Sequence, residues 1–328
     1  MTQDLSATAE RLLQLLKESR GTFTALGELA SRLSADPEAV SRAHFELVKW
    51  GYGIDTNMAG EVRLLTVPDL LLPMEIKDGL KTDFLGREIF SFQSLGSTNQ
   101  VAYRLAEAGA PEGSVIISEE QTSGRGRLSR QWHSPPGLGL WLTFILRPKL
   151  ALAMVPGLSL LACLACVRTA SELTGLAPVI KWPNDSYLHG KKFSGVLTEL
   201  SAELDKVNFV VIGVGINLNH AVEDFPAELR DKATSLSIES GRKIGRVKFL
   251  QNFLAEFENL YSEYNRSGFK NLKPEIMTYF YLLNCQVAVQ MGDATVRGQV
   301  IDLDREGALV LETAQGIKSV TAGDVTLS

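Results

Sequence analysis

Apolar residues in the first third of the chain recur at helical spacing. Leu12, Leu13, Leu15 and Leu16 predict a helix over Ala9–Lys17, and two more helices follow over Thr24–Leu33 and Pro37–Trp50. Asp36 suits an N-cap, Pro37 a first helical position, and Gly51 a stop. Glu61–Leu65 reads as a strand. Three helices and a small hairpin predict a winged helix-turn-helix over residues 1–66, a plan that places one helix in the major groove of DNA. A Pro-containing linker over 67–83 leads to a mixed α/β domain over 84–281, with helices at Ser97–Gly109, Pro156–Gly175 and Arg246–Tyr264. Strands are predicted at Ser114–Ser118, Gly139–Leu146, Val179–Trp182, Gly195–Leu200 and Asn208–Val214. From 282 to 328 the alternation around Met291-Gly292-Asp293 and Arg305-Glu306-Gly307 predicts a small β-barrel, making the whole an α+β multidomain chain.

Candidate chemistry sits where these periods break. Gly124-Arg125-Gly126-Arg127-Leu128-Ser129-Arg130-Gln131-Trp132 has neither helical nor strand period. Glycine lets backbone N–H groups approach an anion, and arginine adds forked donors that match carboxylate and phosphate oxygens. A second cluster, Lys181-Trp182-Pro183-Asn184-Asp185, closes a short strand and leads through Lys191-Lys192-Phe193-Ser194-Gly195 into the next one. Asn184 and Asp185 also suit a local turn, and Ser97 with Gln100 suits a capping box at a helix start.

Taken in order, GRGR with Arg-x-Trp, KWPND and Lys-Lys-x-x-Gly resemble the biotin protein ligases, including the bifunctional members that are also biotin operon repressors. Ser94-Leu95-Gly96-Ser97-Thr98-Asn99, Ser118–Thr122 and Val211–Asn217 extend the resemblance. It implies a central ligase domain like that of class II aminoacyl-tRNA synthetases and a C-terminal SH3-like β-barrel. It also implies an enzyme that joins biotin to ATP as biotinyl-5'-AMP and passes biotin to a lysine of a carboxyl carrier protein of acetyl-CoA carboxylase.

Residue roles follow from the resemblance. Ser97, Thr98, Asn99, Gln121, Arg125, Gly126, Arg127, Lys192 and Gly195 are expected around biotin, and Arg125, Arg130, Trp132, Lys181, Asn184 and Asn217 around ATP. Lys192, Arg127 and Asp185 are expected at the reacting atoms, with magnesium entering alongside ATP near Asn184 and Asp185. Operator DNA would be met by Ser41, Arg42 and His44, and the family layout implies a homodimer, dependent on ligand or not. Leu128 and Ser129 stand where many members carry a second Arg-Gly. Asn57–Glu61 lacks the usual wing sequence, and the chain ends Thr326-Leu327-Ser328 without a basic residue.

Charge and composition narrow the partners. A formal charge of −5 argues against a protein that is mainly a nucleic-acid binder. Residues 1–66 hold seven basic side chains against nine acidic ones, Asp4 and Arg20 included, so DNA affinity from phosphate neutralisation is poor. Cys163 and Cys166 lie in an apolar run and the four histidines are scattered, which excludes a disulfide framework and a structural metal. Met1–Glu10 is polar, unlike a signal peptide, and Leu150–Val167 is uncharged but broken by Pro156-Gly157. A core helix and a cytoplasmic protein without a membrane partner are expected. Two other functions fit parts of the pattern. A biotin-sensing regulator without ligase activity predicts loss of Lys192, which is present, and a lipoate-type ligase lacks use for a ureido-binding polar set.

Overall fold

The computed structural model describes residues 5–19, 21–204 and 206–327. Residues 1–4, Arg20 and Ser328, which entered the readings of charge and chain ends, lie outside them. The chain divides into two compact units between Glu75 and Ile76.

The first unit is built on α1 (Ala7–Glu18), β1 (Thr24–Ala25), α2 (Leu26–Leu33), α3 (Pro37–Lys49), β2 (Gly53–Thr56) and β3 (Glu61–Thr66). Thr24 and Ala25, expected to be helical, instead pair with Val62 and Glu61 as an edge strand. Leu12, Leu16, Leu29, Val40, Leu47 and Val62 form its core. Asp36 caps α3 by accepting from the Glu38 N–H at 3.1 Å, as expected of an N-cap aspartate. The unit runs past residue 66, the boundary drawn from the sequence. Leu72 joins the core, and Glu75 accepts from the Tyr52 hydroxyl at 2.7 Å and pairs with Lys17 at 2.8 Å. The segment read as linker also contains a short helix, α4 (Pro73–Lys77).

The second unit opens with Glu258 accepting the backbone N–H groups of Asp83, Phe84 (3.0 Å) and Leu85 (2.7 Å). Its elements are β4 (Ile89–Leu95), α5 (Thr98–Glu107), β5 (Val115–Gln121), β6 (Gly139–Leu146), α6 (Val155–Thr174), β7 (Val179–Lys181), β8 (Asp185–Leu188), β9 (Lys191–Glu203) and β10 (Lys206–Asn217). After them come α7 (Leu236–Ser240), α8 (Arg246–Ser267) and α9 (Lys273–Thr278). The seven strands run in the order β4-β5-β6-β10-β9-β8-β7, antiparallel except for β4 against β5. β4 and β8 were not legible in the sequence. β4 pairs on one edge only, and β8 is four residues of which two are polar.

β6 is buried along its whole length, which explains its nearly continuous apolar run. Ile145 packs with Ala102 and Ala106 of α5 on one face, while Phe144 meets Phe257 of α8 on the other, with ring centroids 4.6 Å apart. Each such fully buried phenylalanine contributes about 1.5–3 kcal/mol. The helical stretch Leu152–Thr174 is long and apolar enough to cross a membrane, but 72% of its apolar window is buried in this unit, as a core helix requires. Five antiparallel strands end the chain: β11 (Gln286–Met291), β12 (Ala294–Leu303), β13 (Leu309–Thr313), β14 (Gly316–Val320) and β15 (Asp324–Leu327), in the order β14-β13-β12-β11-β15. The Trp182 indole N–H donates to the Gly307 carbonyl at 3.0 Å, fixing this sheet beside β7.

Candidate active site

A cavity of about 530 Å³ opens over one face of the large sheet, and every ligand-site residue drawn from the sequence lines it. Two adjacent rungs of the sheet form its floor. Thr143, Gly213 and Leu197 face one another across β6, β10 and β9; Trp141, Gly215 and Gly195 form the next rung on the same face. Side chains from outside the sheet settle on the glycines. A Cβ on Gly213 would lie 1.9 Å from Asn99 Oδ1, and one on Gly215 would lie 2.4 Å from the Trp132 ring. The glycines of Val211–Asn217 therefore act as seats for Asn99 and Trp132. Gly195 likewise leaves room for the end of Lys192, 2.9 Å from its would-be Cβ.

The Asn99 end is a hydrogen-bond network with a defined polarity. Asn99 Nδ2 donates to the Leu197 carbonyl at 3.2 Å and to Glu199 Oε2 at 2.7 Å, which uses both its protons. Its Oδ1 accepts from the Thr143 hydroxyl at 2.7 Å. Asn99 can offer a ligand only an acceptor. Gln121 is the complement: its Oε1 accepts from the Thr98 N–H (2.9 Å) and hydroxyl (3.1 Å), while Nε2 donates to Ser134 Oγ at 3.0 Å. One Nε2 proton is left, so Gln121 offers a donor. The capping box read at Ser97 does not form. Ser97 makes no cap hydrogen bond, and Gln100, the residue that would close the box, lies against Arg125, whose guanidinium its amide oxygen accepts at 2.5 and 3.2 Å when turned toward it.

The other end is cationic. The glycine–arginine loop, expected without regular structure, contains one 3₁₀ turn over Arg127–Ser129 and is closed by the Gly126 N–H donating to the Arg130 carbonyl at 2.7 Å. Leu128 and Ser129 hold φ of 55° and 59°, a region that favours glycine. Arg127 donates to Asn184 Oδ1 and to the Gly323 carbonyl, both at 3.2 Å, and Arg130 forms an ion pair with Asp324 of β15. That pairing holds the Asp324 carboxyl below the usual carboxylate range. Burial lowers the Arg127 pKa, with Asp185 and Asp324 opposing it. Lys192 Nζ pairs with Asp185 at 2.5 Å and lies 5.2 Å from the Trp132 ring centroid. Lys181 sits over the Tyr187 ring at 5.0 Å. Asn217, named with the nucleotide residues, donates to the Thr234 carbonyl at 3.1 Å and is buried. Thr143, Tyr187, Glu199 and Asp324 were missed in the sequence.

No group of three or more metal-ligating side chains occurs among the described residues. Asn184 already accepts from Arg127 and Asp185 is paired with Lys192, so these two do not make a resident magnesium site.

His220 backs the cavity wall. It is fully buried, stacks on Phe225 at 4.7 Å, and neither ring nitrogen has a hydrogen-bond partner among the described residues. Burial lowers its pKa to about 4, with His133 adding to the effect. The folded state thus favours neutral His220. That stabilisation is complete above the unfolded value of 6.5 and is lost as pH falls from 6.5 toward 4. His220→Phe keeps a ring in the stack and should lose less stability across that window, by about 2 kcal/mol, measured as the difference in unfolding midpoints between pH 7 and pH 4.

In the first unit Ser41 and Arg42 are exposed on α3, where Arg42 pairs with Glu38 at 3.6 Å. His44 is half-buried with an enclosed, unpartnered Nε2, and Phe45, 71% exposed, takes the outward position beside it.

Residues 91–217 match the biotin/lipoate A/B protein ligase family and residues 282–328 the biotin protein ligase C terminal domain. The bifunctional ligase/repressor BirA of Bacillus subtilis is 38% identical over 322 residues, covering 98% of this chain and 99% of that protein. The Escherichia coli protein of the same name is 27% identical over 327 residues, covering 97% of this chain and 96% of that one. Among solved structures, biotin protein ligase from Aquifex aeolicus in complex with biotin and ATP matches with a TM-score of 0.64 and 30% identity, covering 74% of this chain and 99% of that one.

Proposed function

Because the chain belongs to the biotin protein ligase family, we infer that it activates biotin with ATP to biotinyl-5'-AMP and transfers biotin to a lysine of a biotin carboxyl carrier protein. The observation that carries this reading is one cavity with two unlike ends: an acceptor from Asn99 beside a donor from Gln121, and a cationic end around the Lys192–Asp185 pair. A cyclic urea carries N–H and C=O groups side by side and matches the first end. A dithiolane carries neither, so the same end argues against a lipoate-type substrate.

In the first step the biotin carboxylate attacks the α-phosphorus and pyrophosphate leaves. Lys192, Arg127 and Arg125 neutralise the charge that gathers where two anionic reactants meet, with Arg130, Lys181 and Asn184 on the nucleotide side. Magnesium enters bound to the triphosphate, as part of the substrate. In the second step a carrier lysine amine attacks the acyl carbon and AMP leaves, with Asp185 positioned to orient or take a proton from that amine. The glycine–arginine loop and Trp132 shield the mixed anhydride from water between the two steps.

The first unit serves as a winged helix-turn-helix and the C-terminal sheet as an SH3-like barrel in this reading. Together they make a biotin-responsive repressor as well as a ligase, with Ser41 and Arg42 toward operator DNA and Arg42 the main phosphate or base contact. The reading includes a cytoplasmic homodimer. The test is biotin-dependent pyrophosphate release from MgATP, followed by labelling of a carrier domain, with lipoate as competitor. Release and labelling that lipoate does not inhibit support the ligase. Biotin binding without release would leave a sensor instead.

A further inference from the structure

We propose that Glu199 is a specificity-determining positioning residue, which locks the Asn99 amide so that only its oxygen faces the ligand. The proposal rests on the biotin reading above and adds a residue outside the cavity lining to it. Asn99 is an amide whose two ends differ in hydrogen-bonding sense but not in shape, so something must choose its orientation. The Leu197 carbonyl and the Glu199 carboxylate are both acceptors, at 3.2 and 2.7 Å from Nδ2, and together they exclude the flipped state. On the opposite side the Thr143 hydroxyl lies 2.7 Å from Oδ1 and 2.8 Å from Thr98 Oγ1; its single proton can serve the acceptor-only Asn99. Thr98 Oγ1 separately donates to Gln121 Oε1 at 3.1 Å.

The sheet places Glu199 for this task. It lies two residues beyond Leu197 on β9, so both point to the same face, and Leu197 is on the rung of Gly213, where Asn99 is seated. A carboxylate is the one side chain of this length with no proton to donate at neutral pH, which makes the choice one-sided. With an amide or no side chain at 199, Asn99 is free to present N–H groups, and an N–H donor on the ligand meets another donor.

The experiment is calorimetric binding to the full chain of biotin and of biotin methylated on a ureido nitrogen, for wild type, Glu199→Ala and Glu199→Gln. Wild type should prefer biotin strongly. Glu199→Ala should weaken biotin about tenfold and narrow the preference by a similar factor, while the KM for ATP stays unchanged. Glu199→Gln, which regains an acceptor, should recover part of both. A Glu199→Ala protein that melts lower but keeps the wild-type preference would overturn the proposal and leave Glu199 a structural residue. A rise in ATP KM with no change in preference would overturn it as well. Failure of wild type to bind biotin at all would instead remove the ligase reading on which the proposal stands.

Discussion

Lys192→Ala is expected to reduce biotin-dependent pyrophosphate release by about 10²–10³-fold, the size of effect seen when a preorganised charge or donor is taken from a developing anion. The loss should fall mainly on kcat. In the proposed reading the ureido end of biotin is bound at the other end of the cavity, by Asn99 and Gln121. Stability should change little, because the Lys192–Asp185 pair is partly exposed, at 28% and 21%, and such pairs contribute under about 1 kcal/mol. Single-turnover formation of the adenylate, with the melting temperature as control, checks the prediction. A variant that forms adenylate at the wild-type rate would move Lys192 out of the reaction. A variant that fails only in transfer to the carrier would assign it to the second step.

Gly213→Ala should damage the ligand cavity directly. Its Cβ would stand 1.9 Å from Asn99 Oδ1 and 2.7 Å from Asn99 Cγ, closer than any real contact. Gly213 is held on both sides by β6 and β9, so the amide rather than the strand must give way. Displacing Asn99 breaks its bonds to Leu197, Glu199 and Thr143 together, leaving buried polar groups unpaired at about 1–3 kcal/mol each. Biotin affinity should fall by about 10²-fold, while overpacking lowers stability by about 1–3 kcal/mol. Gly215→Ala acts on the Trp132 seat instead. It should therefore prolong adenylate lifetime less well while sparing the first binding step. Titration of both variants with biotin separates the two seats.

Much of this cavity was legible in the sequence because its residues lie in contiguous runs. Arg125, Arg127 and Trp132 share one loop, and Lys181, Asn184, Asp185 and Lys192 flank one hairpin. Thr143, Glu199 and Asp324 were not legible, since each acts across strands. Thr143 is one polar residue in the apolar run of β6, and nothing local says that it faces Gly213. Glu199 matters only through the register that puts Leu197 opposite Gly213. Periodicity located α1 and α8 well, because their apolar stripes bury against a core, whereas α6 was legible as an uncharged run opening at Pro156 and is buried nearly all round. It missed β4 and β8, whose short or one-sided pairing leaves little pattern, and it gave Thr24 and Ala25 to a helix when an edge strand claims them. The capping box at Ser97 failed for a related reason: Gln100, its third helical member, faces the tertiary partner Arg125.

The tie between Arg130 and Asp324 spans 194 residues of chain, and this distance sets an order of events during synthesis. At about 5–20 residues per second, the anion that neutralises Arg130 leaves the ribosome on the order of 10–40 s after the loop itself. Through that interval the sheet, with its Asn99 and Trp132 seats, still lacks α8, so a nascent chain holds neither a closed nucleotide wall nor a complete core under β6. In the proposed reading, the capacity to hold the reactive intermediate waits on synthesis of the strand that supplies Asp324.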